Sequence, residues 1–368
     1  MSIKVGLVGL PNVGKSSLFN ALTKSSVPAE NYPFCTIDPH LAITPVPDER
    51  SAKLKDLYGS KREIPATISF VDIAGLVKGA ASGQGLGNQF LSHIREVDLI
   101  IHVLRCFEDS SVIRQEGTID PLNDFEIIVN ELMLKDLESL EKRLQKLDSE
   151  IKKHGLAPAQ KKEFETEKHI LTQVLEKINK GDAQGVRSIL QANPITTLPL
   201  LSSKNFLVVA NISEQEIDTF QDNPHYQTLI KTFGQARVIP ICVKTEYELS
   251  QLSSEDAQEM MDMLGLKAPA LQTVIKKSYD NLGLITFFTC GPQEIHAWPI
   301  KQGITIRKAS GEIHSDLERG FICAEIFNYY DLIQIGSIKG LKDKGKVRTE
   351  GAEYLVQDGD IILVRFNV

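Results

Sequence analysis

Cysteine is scarce in this chain of 368 residues: five in all, Cys35, Cys106, Cys242, Cys290 and Cys323, scattered and with no C-x-x-C pair. That excludes a cysteine-based zinc site or disulfide frame and points to reduced thiols in a cytoplasmic protein. No apolar stretch approaches the roughly 20 residues of a membrane-spanning helix, so no membrane partner is expected. Ile3 already opens a strand-like run, and a cleaved signal peptide is not expected either. Positive charge is not in excess: 41 Lys and Arg face 48 Asp and Glu, for a net charge of −7. The whole chain is therefore no general nucleic-acid binder. DNA is not an expected partner, and any RNA contact must come from a local patch. Composition is otherwise that of an ordinary globular protein, 42% hydrophobic and 24% charged, and the length suits two or three domains.

The most informative segment present is Gly9-Leu10-Pro11-Asn12-Val13-Gly14-Lys15-Ser16, which fits the phosphate-binding pattern G-x-x-x-x-G-K-[ST]. An apolar run, Ile3 to Val8, precedes it and reads as a buried strand. Lys15 to Leu22 follows and reads as a helix with Leu18, Phe19 and Leu22 on one face. Strand, glycine loop and helix start form a cradle in which backbone N–H groups surround phosphate oxygens. Lys15 would bridge the β- and γ-phosphates, and the Ser16 hydroxyl would ligate Mg²⁺.

The rest of the first third alternates strands with loops and helices. Apolar runs at 67–72, 98–104, 205–211 and 237–243 suit a parallel sheet covered on both faces. Between them Met133, Leu137, Leu140, Leu144, Leu147 and Ile151 recur at spacings of 4, 3, 4, 3 and 4, a heptad seam. Gly155 and Pro158 break it, and a second charged helix carries Phe164, Leu171, Val174 and Ile178. An antiparallel helical hairpin inserted in the nucleotide-binding domain is expected. Beyond residue 282 a small strand-rich module begins, with strands at 284–289 and 360–366. Lys339, Lys342, Lys344, Lys346 and Arg348 cluster there, as either a solubilising loop or an RNA-facing patch. The expected boundaries are 1–126 and 199–281 for the nucleotide-binding domain, 127–198 for the hairpin and 282–368 for the last module.

Two further motifs fit a nucleotide switch. Asp72-Ile73-Ala74-Gly75 follows a strand and matches D-x-x-G, with Asp72 holding Mg²⁺ through a water and the Gly75 N–H sensing the γ-phosphate. Glycines at 75, 79, 83, 85 and 87 suit a segment that rearranges on hydrolysis. Thr36 is the candidate switch threonine for the Mg²⁺ shell, with Cys35 beside it. Leu76 stands where a water-orienting Gln is found in Ras-type enzymes, so intrinsic hydrolysis should be slow unless another group, such as His93 or Arg114, acts. Asn211-Ile212-Ser213-Glu214 stands where a guanine reader has N-K-x-D. Guanine needs a carboxylate placed for its N1–H and N2 amine; adenine offers neither donor at those positions. Glu214 is one methylene longer than Asp, and Ile212 replaces the lysine, which favours ATP over GTP. A GTP-preferring regulator and a nucleotide-binding scaffold without turnover are the rival readings.

These residues, with Asn31 to Ile37, Gly85 to Leu91, Ile94 to Asp98, Gly311 to Asp316 and Gly320 to Ile322, closely resemble the YchF family, the Obg-like ATPases. The resemblance runs nearly end to end. It implies an α/β P-loop NTPase domain, the helical insertion, and a C-terminal TGS domain of ubiquitin-like (β-grasp) fold. It also implies slow ATP hydrolysis in preference to GTP, association with ribosomes and their rRNA, and a place in translation or stress control. Carried over by position, Asn12, Val13, Gly14, Lys15, Ser16 and Ser17 cradle the phosphates. Ser16 and Thr36 ligate Mg²⁺, and Asn211 with Ile212 meets the adenine. Leu76 matches the family's hydrophobic replacement of Gln, and in related enzymes an asparagine at the Asn12 position supports K⁺ binding. Arg114 departs from the histidine of many relatives. It cannot act as a base, though it can stabilise transition-state charge.

Overall fold

The computed structural model describes residues 3–25, 40–73, 86–109, 118–153 and 155–367. The chain runs through β1 (Lys4–Val8), α1 (Lys15–Lys24), β2 (Leu41–Pro45), α2 (Glu49–Tyr58), β3 (Arg62–Ile64), β4 (Thr67–Asp72), α3 (Leu86–Glu96) and β5 (Leu99–Arg105). Three helices follow, α4 (Pro121–Ile151), α5 (Pro158–Asn179) and α6 (Ala183–Ala192). The nucleotide-binding part resumes with β6 (Asn205–Asn211), α7 (Pro224–Phe233), β7 (Val238–Ile241), α8 (Val243–Leu249), α9 (Ser254–Met263) and α10 (Ala270–Asn281). The last part holds β8 (Leu284–Cys290), β9 (Glu294–Lys301), α11 (Ile306–Ile313), α12 (Ser315–Arg319) and β10 (Phe321–Asn328). It closes with α13 (Tyr329–Ile335), α14 (Ile338–Asp343), β11 (Arg348–Glu350) and β12 (Asp360–Phe366).

The first sheet has the order β2-β4-β1-β5-β6-β7, parallel except for β2 against β4. All seven residues of β5 are buried, as the unbroken apolar run requires of a strand covered on both faces. Successive side chains point to opposite faces. Val5, Leu7, Leu99, Ile101 and Val103 therefore join one core with α1 and α10, while Val8, Ile100, Leu104, Val208 and Ala210 join another with α3, α4 and α7.

The hairpin stands on the second core. Asp120 caps α4, accepting from Asn123 N at 3.0 Å, and Pro121 occupies the first turn. The helix thus begins ahead of residue 127. Met133, Leu140 and Leu147 of the seam are buried against Leu171, Val174 and Ile178 of α5. Arg143 grips Glu167 with two hydrogen bonds of 2.8 and 2.7 Å, and Lys168 pairs with Asp148. Helix α6 was not foreseen. It starts after Gly181, with Asp182 accepting from Gly185 N at 2.7 Å. At the hairpin root, buried Asp136 accepts from Leu201 N, Ser202 N and Ser202 Oγ at 2.7, 2.8 and 2.7 Å. Burial raises its carboxyl pKa against the pull of those bonds. Lys204, next along, donates to the carbonyls of Arg95 and Val97 at the end of α3.

The C-terminal sheet has the order β11-β10-β12-β8-β9-β3, with β12 parallel to β8 between antiparallel neighbours. A β8–β9 hairpin, a helix and a parallel return strand make the β-grasp layout. One strand was unexpected. β3 lies between α2 and β4 in the chain yet adds to β9 in parallel, Arg62 opposite Glu294. Arg50 of α2 binds Asp48 and Asp358 and lies over the Phe288 ring, 5.2 Å from its centroid. Leu54, Phe288, Ile295 and Tyr329 share one core with Val5 and Leu18. The last module is thereby fused to the sheet that carries the glycine loop.

Candidate nucleotide site

The glycine loop joins the end of β1 to the start of α1. Asn12 and Gly14 take positive φ, 62° and 97°. A Cβ on Gly14 would come 2.5 Å from Asn211 Nδ2, so conformation and space both demand glycine. At Gly9 a Cβ would meet Val103 O at 2.8 Å. Helix α1 has no capping side chain and no acid in its first turn, which leaves its first amides to an anion. Ser16 is exposed there; Val13 is buried and anchors the loop.

Register sets Asp72 beside this loop, since β4 pairs with β1 and Asp72 lies opposite Leu7. The Lys15 ammonium, on a residue only 8% exposed, is in ion-paired contact with Asp72 Oδ1. The cation that would grip phosphate and the carboxylate that would hold Mg²⁺ are thus brought together. Magnesium commonly takes few protein ligands, all oxygen, and completes its shell with water and phosphate. The Ser16 hydroxyl and Asp72 carboxylate fit that donor set. Thr36, Gly75, Leu76, Arg114 and Cys35 lie outside the described residues. His93 is on α3, and its Nδ1 is buried without a hydrogen-bond partner among the described residues.

At the other end of the site, Asn211 closes β6 and is 5% exposed. Its Nδ2 donates to Val13 O at 2.9 Å, and its Oδ1 accepts from Val243 N at 3.0 Å. One side chain therefore ties the glycine loop to the start of α8. Ile212, which follows Asn211, is 4% exposed and packs in the second core. Ser213 and Glu216 cap the short turn that follows, Glu216 accepting from Ser213 N at 3.1 Å and from Asn223 Nδ2 at 2.9 Å. Glu214 is left pointing to Lys244, whose Nζ lies 3.2 Å from Glu214 Oε2. That pairing raises the Lys244 pKa.

The Cys242-Val243-Lys244 segment was missed in the sequence. Its only signal is an apolar strand running into a short helix after the base-reading motif. It is well anchored, because buried Glu246 accepts from Ala270 N and Leu271 N at 2.8 and 3.1 Å and fixes α8 to α10. Burial raises the Glu246 pKa. Under the sheet, His102 of β5 sits against Phe125 and Phe206 with centroids at 4.5 and 5.8 Å. Burial, with Arg187 nearby, pushes its pKa down to about 3.

The basic cluster is partly neutralised within the fold. Lys346 pairs with Asp331 at 3.2 Å and Arg348 with Glu350 at 3.5 Å. Lys339, Lys342 and Lys344 make no ion pair among the described residues. No described helix is long and apolar enough to cross a membrane.

Comparison with known proteins gives matches over the whole chain. Residues 4–143 match the family model MMR_HSR1, described as 50S ribosome-binding GTPase. Residues 284–367 match YchF-GTPase_C, described as a protein of unknown function. The Ribosome-binding ATPase YchF of Bacillus subtilis is 45% identical over 372 residues, covering 100% of both chains. Obg-like ATPase 1 of Oryza sativa is 40% identical over 100% of this chain and 92% of its own length. The solved structure of the Schizosaccharomyces pombe YchF GTPase superposes with a TM-score of 0.85 at 37% identity, covering 99% of this chain and 98% of that one.

Proposed function

The chain belongs to the YchF family, and from that premise we propose that it is a Mg²⁺-dependent P-loop ATPase that prefers ATP to GTP, turns over slowly alone and acts on the ribosome as a conformational switch. The observation that carries the chemistry is the Lys15–Asp72 contact at the open start of α1. A triphosphate entering there takes Lys15 away from Asp72, because several phosphate charges outweigh one carboxylate. Asp72 is then released to act with Ser16, and with Thr36 from the segment outside the described residues. Ser16, Asp72 and Thr36 would hold Mg²⁺, which would supply charge neutralisation at the phosphates. Backbone N–H groups from Asn12 to Ser17 and the Lys15 ammonium face the oxygens where charge develops.

Water attacks the γ-phosphorus, the bond to the β–γ bridging oxygen breaks, and ADP and phosphate leave. With leucine at position 76, orienting that water falls to His93, Arg114 or a partner, and intrinsic turnover is expected to be slow. ATP preference is supported by Glu214 in place of Asp and by the occupation of its carboxylate by Lys244. Ribosome binding is supported by the names of the Bacillus subtilis relative and of the matching family model. Lys339, Lys342 and Lys344, without an ion pair among the described residues, supply a surface for rRNA. The naming of the matching family and of the Schizosaccharomyces pombe relative as GTPases favours the rival guanine reading.

Phosphate release with and without ribosomes tests the proposal. Slow release from ATP alone, stimulation by ribosomes and loss of both in Lys15→Ala are expected. Tight ATP binding with no release under either condition would move the protein to the class of scaffolds.

A further inference from the structure

Glu214 comes from the short turn after β6 and Lys244 from the first turn of α8, which follows β7, yet the structure puts their charged ends 3.2 Å apart. The meeting is enforced by buried parts. Asn211 Oδ1 accepts from Val243 N at 3.0 Å and so fixes the residue just before Lys244. The capping box between Ser213 and Glu216 fixes the turn that carries Glu214. Glu216, the other acid of that turn, is engaged by Ser213 and Asn223 and leaves Glu214 alone to face the lysine. Glu248 Oε1, one turn along α8 from Lys244, also lies 4.0 Å from the ammonium. Glu214 and Lys244 stay 41% and 68% exposed at their side chains, open to a ligand.

We propose that Lys244 is a specificity-determining residue that acts against guanine by occupying the Glu214 carboxylate. The inference rests on the adenine-preferring reading of this site. Guanine is selected when a bare carboxylate accepts from its N1–H and N2 amine together. Here one carboxylate oxygen is taken by an ammonium. The same positive charge opposes the two donor hydrogens that guanine would bring. Adenine presents a lone pair at N1 and a carbon-bound hydrogen at C2, so it has no need of that carboxylate. Selectivity then comes from a feature that disfavours the competitor as much as from one that favours the substrate.

The test is equilibrium titration with ATP and with GTP, in Mg²⁺, of wild type, Lys244→Ala, Glu214→Gln and the double variant. Freeing the carboxylate in Lys244→Ala should lower the GTP Kd relative to the ATP Kd by about three- to five-fold, the scale of an exposed ion pair. In the Glu214→Gln background, Lys244→Ala should leave the ratio unchanged. An unchanged ratio in Lys244→Ala overturns the proposal, as does a shift of the same size without Glu214, since the lysine would then act by another route. Unfolding midpoints of the variants confirm that the folds match. A wild type that prefers GTP would sink the adenine reading on its own, whereas this inference stands or falls on the change in ratio.

Discussion

The two ends of the nucleotide site are built differently. At the phosphate end the parts are backbone and buried side chains: a loop with two left-handed residues, a lysine 8% exposed, and Val13 O tied to Asn211. At the base end the groups proposed to discriminate are an exposed acid on the turn after β6 and an exposed lysine at the start of α8. Phosphate chemistry is common to all nucleoside triphosphates and is served by fixed geometry. On the proposed reading, the choice of base rests on side chains that substitution can alter without disturbing the sheet. Catalysis should therefore respond steeply to changes at the first end, and selectivity to changes at the second.

That contrast makes graded expectations. Lys15→Ala should cut phosphate release by on the order of 10²–10³-fold, the usual cost of one preorganised charge-stabilising donor, while leaving the ATP to GTP ratio of affinities nearly unchanged. Asn211→Ala strikes both ends at once. It leaves Val13 O and Val243 N without their partner and should cost about 1–3 kcal/mol in urea unfolding. It should also weaken both nucleotides together. Glu214→Asp is expected to act only on selectivity, moving the affinity ratio several-fold toward GTP with little change in unfolding midpoint. A large fall in stability from that substitution would erase the distinction between the ends.

Beneath the site, acid sensitivity has a separate source. His102 is neutral in the fold with a pKa of about 3, against about 6.5 in an unfolded chain. Between these values the unfolded state binds the proton and the folded state does not. Its contribution is complete above pH about 6.5 and is lost as pH falls toward about 3. Wild type should lose stability over that window more steeply than His102→Phe, by urea midpoints taken at successive pH values. Equal slopes would show that other groups govern acid unfolding.

The sequence made the phosphate end legible because its pattern is local: the loop, its strand and its helix are consecutive, and Asp72 sits at the end of an apolar run that could only be a strand. The strands of the first sheet follow for the same reason; β4 and β6, and β12 in the second sheet, have the bounds their apolar runs suggested. What was hidden depends on distant residues. Lys244 meets Glu214 only because Asn211 bridges to Val243 across 32 positions. The burial of Ile212 in the second core is likewise not written in its motif. β3 is three residues long, too short for any periodicity, and its partner β9 is more than two hundred positions away.

The most direct measurement is a competition titration of ATP and GTP against the wild-type protein in Mg²⁺, read as the ratio of the two Kd values. A ratio favouring ATP is expected from the occupied Glu214 carboxylate. A ratio favouring GTP would contradict the base-end chemistry while leaving the phosphate end untouched.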